Sequence, residues 1–81
     1  MSSARALEMI RAELTRALGP MAHVLLDQMF ESLAMTPEEF PAGKLPELVE
    51  KLSWEIQSER RRVAFQKEAL EQLQALRENE P

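Results

Sequence analysis

The chain has 81 residues, 44% of them apolar and 30% charged, and no cysteine. That excludes a disulfide scaffold, a thiolate metal site and a disordered segment, and it allows one domain at most, here taken as residues 1–81. The net charge of −4 argues against a duplex-wrapping protein, which needs clustered Lys and Arg, and no apolar run approaches the roughly 20 residues of a membrane span.

At the N-terminus, Met1-Ser2-Ser3-Ala4-Arg5-Ala6 leads straight into a charged amphipathic pattern. No signal peptide is expected there, and the chain is read as cytoplasmic. Leu7, Ile10, Leu14, Ala17 and Leu18 recur at spacings of three and four, while Arg5, Glu8, Arg11, Glu13 and Arg16 lie largely off that stripe. The spacing predicts an amphipathic helix over about residues 4–18. Gly19 suits a left-handed cap and Pro20 the first turn of a second helix, over about residues 20–34. This second helix is the most apolar part of the chain, with Met21, Ala22, Val24, Leu25, Leu26, Met29, Phe30 and Leu33. Such breadth predicts burial on more than one side.

Thr36-Pro37-Glu38-Glu39 has the form of a capping box, and Pro41 limits it to about one helical turn. Phe40 is expected to tuck into the core and pin this connector. Beyond Pro46 no Gly or Pro occurs before the terminal Pro81, and helix formers dominate. One helix is therefore predicted over about residues 46–78, roughly 50 Å long. A packed chain of this size is only about 30 Å across. The excess predicts a bundle completed by a second subunit.

Heptads on this helix put Val49, Ile56, Val63 and Leu70 at successive a positions and Leu45, Leu52, Glu59, Gln66 and Leu73 at d. Two short helices cover the first half only, leaving Val63, Leu70 and Leu73 for another chain, each worth about 1.5 to 3 kcal/mol on burial. The expected dimer seam is Val49, Leu52, Ile56, Val63, Leu70 and Leu73, with antiparallel pairing favoured. The alternative is a tail that orders only on a different protein. A second stripe, Trp54, Phe65 and Leu76, has residues 11 apart with Arg61 nearby. It is either further core or a partner surface of Trp54, Arg61 and Phe65 with Trp54 as the aromatic anchor.

The residues for catalysis cannot be assembled. The only His is His23, and there is no Cys or Tyr to act as nucleophile. His23, Asp27 and Glu31 could offer three ligands from one helix face, but no second His completes a site. His23 is read instead as paired with Asp27. The two glycines cannot form a phosphate loop, so no enzyme activity, cofactor, metal or small-molecule substrate is expected. Arg60, Arg61 and Arg62 spread over about 200° of helix and cannot all face one groove. Structural pairing of these arginines is favoured over contact with phosphate. Mixed charges on the polar face also argue against a membrane-surface helix.

The order Glu13-Leu14, Leu18-Gly19-Pro20-Met21-Ala22 with Val24-Leu25-Leu26, then Leu45-Pro46-Glu47-Leu48-Val49 through Leu52, Ile56 and Arg61 to Phe65 resembles a small helical domain of unknown function. That domain is found in bacterial signalling proteins, at the C-termini of some Ser/Thr kinases and beside receiver or Roadblock-type modules. The resemblance implies a cytoplasmic interaction module in which Gly19-Pro20 sets the first interhelical turn and Phe65 packs as a core aromatic. The expected function is a dimeric, non-enzymatic adaptor or scaffold that binds itself and another protein. The alternative is a small regulator of the antitoxin or transcription-factor-partner type.

Overall fold

Among the described residues, 3–78, the computed structural model contains four α-helices and no strand. They are α1 (Ser3–Leu18), α2 (Met21–Leu33), α3 (Leu45–Ser53) and α4 (Glu59–Glu78), with single 3-10 turns at Pro37–Glu39 and Ala42–Lys44. The all-α class expected from the sequence is what forms. The expectations that touch Met1, Ser2 and residues 79–81 lie outside the described residues.

The apolar stripe of α1 places it at the centre, where Ala6, Leu7, Ile10, Leu14 and Ala17 are buried against α2, α3 and α4. Gly19 ends α1 at φ +68°, and its N–H donates to the Thr15 carbonyl at 2.7 Å. This is the left-handed cap that the glycine allows without steric cost. The chain reverses, and α2 lies against α1 through Ala22, Leu26 and Phe30. Burial of α2 on several sides does not occur. Met21 is 61% exposed, and Val24 and Leu33 are also open, because α2 packs chiefly on α1 and its outer face has no neighbouring helix.

At Thr36 the capping box forms as expected. The Thr36 N–H donates to Glu39 Oε1 at 2.9 Å, and the Glu39 N–H returns to the Thr36 carbonyl at 3.0 Å. The bond from the Thr36 N–H first, and one from the Thr36 side chain second, hold the exposed Glu39 carboxyl below the ordinary carboxylate range. Phe40 is buried and meets Phe30 edge-on, with ring centroids 6.1 Å apart. The Ser3 hydroxyl donates to the Phe40 carbonyl, tying the start of α1 to the connector.

The single helix expected over residues 46–78 is broken. After Ser53 the N–H groups of Trp54, Glu55 and Ile56 reach back three residues instead of four, to Lys51, Leu52 and Ser53, at 3.3, 3.1 and 3.0 Å. That pattern tightens and ends a helix. Ser58 then starts α4 as an N-cap, its Oγ accepting from the Arg61 N–H at 3.3 Å. The physical reason is burial. Ile56 sits almost wholly inside at 1% exposure, and the reversal lays both α3 and α4 against α1 and against each other. A continuous rod could not do so. The buried Ser53 hydroxyl accepts from Gln66 Nε2 at 2.8 Å and donates to the Glu50 carbonyl at 2.5 Å, cross-linking α3 to α4. The radius of gyration is 12.0 Å, about the value expected of a compact chain of this length. The overhang that called for a second subunit is absent.

Candidate functional site

The turn at residues 54–58 redistributes the expected seam. Val49, Leu52, Ile56 and Leu73, expected on a seam between chains, lie in the core of their own chain. Val63 and Leu70 alone remain outside, 54% and 44% exposed. The α3–α4 turn changes the helical phase, so that the inward line of α4 becomes Phe65, Ala69 and Leu73, with Leu76 packed half-buried at its edge. Phe65, expected either as further core or on a partner surface, is 3% exposed and belongs to that core, as the resemblance implies.

Trp54 separates from Phe65 and projects from the end of α3, 66% exposed. Arg62 lies over its indole ring, with the guanidinium carbon 5.0 Å from the centroid. The same guanidinium donates to the Ile56 carbonyl from Nε at 3.1 Å and from Nη2 at 2.9 Å. It thus satisfies a carbonyl freed by the turn and covers one face of the tryptophan. The pairing expected for Arg62, with acidic residues across a helical seam, is replaced by this one, because the turn brings carbonyls within reach. Arg60 points to solvent. Arg61 is exposed between two surface grooves, one bordered by Arg16, Ala17 and Phe65 and one, of about 520 Å³, by Leu18, Met21, Leu25 and the 55–58 turn. A larger groove of about 850 Å³ runs between Ala42–Pro46 and the end of α4, lined by Leu70, Leu73, Gln74 and Arg77.

Two polar clusters tie helices together. His23 Nε2 lies 3.2 Å from Asp27 Oδ2, as expected, but Arg11 also reaches His23 Nδ1 at 2.5 Å and Asp27 at 3.5 Å. Arg11 on α1 thus meets both His23 and Asp27 and straps α2 to α1. Glu13, which the sequence placed off the apolar stripe, is buried. It accepts from Gln72 Nε2 at 2.9 Å and lies 3.6 Å from Arg16, so it joins α1 to α4. Its signal was a carboxylate one residue before Leu14, at the edge of the stripe, and the nearby Arg16 made it read as an ordinary surface pair.

Among the described residues no helix is long and apolar enough to cross a membrane. No curated protein and no solved structure matches the chain. Residues 5–78, nearly all of the helices and turns that set Trp54 on its corner, match a family described as a domain of unknown function, DUF8082. The chain belongs to that family.

Proposed function

We propose that this chain is a non-enzymatic helical interaction module of bacterial signalling, docking another protein on the corner where α3 gives way to α4. The observation that carries the reading is Trp54. An indole is large and apolar, and burying it usually contributes strongly to stability, yet here it stands two-thirds in solvent. Arg62, fixed by the Ile56 carbonyl, restricts it from one side. A pre-positioned Trp beside an Arg is the combination that most often dominates binding energy at protein interfaces, since little side-chain entropy remains to be lost. The bacterial and cytoplasmic setting, as an adaptor or scaffold, rests on the resemblance of the Leu18-Gly19-Pro20-Met21-Ala22 and Leu45–Phe65 segments.

Trp54→Ala tests the docking role directly. Its melting transition should stay within about 0.5 kcal/mol of the parent, as for surface substitutions generally. Proteins captured from the source cell by the parent chain should be lost from the variant. A variant that unfolds would make Trp54 a stability residue, and one that retains the same captured proteins would remove it from the interface.

A further inference from the structure

We propose that one partner of this module is a second copy of the chain, paired antiparallel along the outer line of α4; the proposal rests on reading the chain as an interaction module. Val63 and Leu70, both exposed, are seven residues apart, which is two helical turns to within about 20° and about 10 Å along the axis. Glu59 and Arg77 stand at the two ends of α4. Their separation of 18 residues is five full turns, so they share one line, offset by about 40° or less from the two apolar side chains. Read along α4, that line is acid, apolar, apolar, base.

This order is its own complement when reversed. An antiparallel copy sets Val63 against the partner's Leu70 and Leu70 against the partner's Val63; each Glu59 then stands opposite the partner's Gln74, with the partner's Arg77 three residues or about 4.5 Å further along the axis, within an arginine's reach. On one flank Arg60 and Glu71, three turns apart to within about 20°, bring a second pair of opposite charges together across the same axis. Lys67 lies on that flank near the centre, where Glu71, one turn along its own helix, offsets its charge. Parallel pairing instead opposes Glu59 to Glu59 and Arg77 to Arg77. Because two apolar side chains make a small patch, the association is of the weak, reversible class.

Sedimentation equilibrium from micromolar to millimolar chain concentration at low salt tests the pairing. The average mass should climb from 9.3 kDa toward twice that value, and a mass fixed at one chain throughout overturns the proposal. The double variant Val63→Glu/Leu70→Glu should stay at one chain mass, with helix content confirmed by circular dichroism. A dimer that survives it lies elsewhere on the molecule and overturns the proposal. Glu59→Arg and Arg77→Glu should each weaken association by about tenfold, and their combination should restore it. Failure of the combination to restore association overturns the antiparallel register. Trp54→Ala should leave self-association unchanged, so loss of docking at Trp54 and loss of α4 pairing are read by separate measurements.

Discussion

The chain reverses direction at Gly19-Pro20 and again at residues 54–58, and the two turns are built on different principles. At the first, the backbone dictates the reversal: Gly19 takes φ +68° and Pro20 starts the next helix. At the second there is no glycine or proline. A buried Ile56, the Ser58 cap and the Arg62 guanidinium on the Ile56 carbonyl accomplish the same reversal with side chains. A turn of the first kind is local, whereas the second exists only because the rest of the core is there to receive Ile56.

That contrast can be broken most forcefully at Ile56. Ile56→Ala should cost about 3 kcal/mol in denaturant unfolding, from lost burial and the cavity left behind, a large part of the stability of a domain this small. A loss well under 1 kcal/mol would mean that the turn does not depend on the core. Smaller and more equal effects are expected at the two caps. Gly19→Ala forces a Cβ into the left-handed region and should cost about 1 kcal/mol. Ser58→Ala should cost about 1 kcal/mol while Ser58→Gly costs only a few tenths. Thermal melts that found the two Ser58 variants equally damaging would reject the capping role.

The connector between α2 and α3 offers the gentlest comparison, because its capping box is exposed and titratable. The folded-state Glu39 carboxyl lies below its ordinary range. Its contribution is therefore fully present above the unfolded-state value and disappears as the pH falls through the folded-state value. The melting temperature of the parent should exceed that of Glu39→Ala at neutral pH, and the gap should close on acidification through the carboxylate range. A gap that is constant with pH would show that the carboxylate's charge has no part in the turn.

These differences also explain what was legible in the residues. The first two helices, the Gly19 cap, the Thr36 box and the burial of Phe40 each carry a local signature, and each forms as read. The break after Ser53 does not, since Lys51 to Arg62 are nearly all acceptable in a helix; only Ser58 followed by Glu59 hinted at a new N-terminus. Once the phase slips there, a heptad line that looks continuous divides. Val49 and Ile56 go to the core, and Val63 and Leu70 go to the surface. The candidate docking residue follows from the same slip. Trp54 and Phe65 share a stripe on an unbroken helix, but the turn sends one outward and the other inward.

The position of Trp54 also decides how this protein can be observed. It is the only tryptophan and there is no tyrosine, so the indole emission of the whole chain comes from a side chain that is already in water when folded. Unfolding changes that environment little, and emission is a poor reporter of the fold, which is better followed by backbone absorption. A partner covering the ring would change it greatly, so the intrinsic fluorescence of this chain is a docking signal that needs no label.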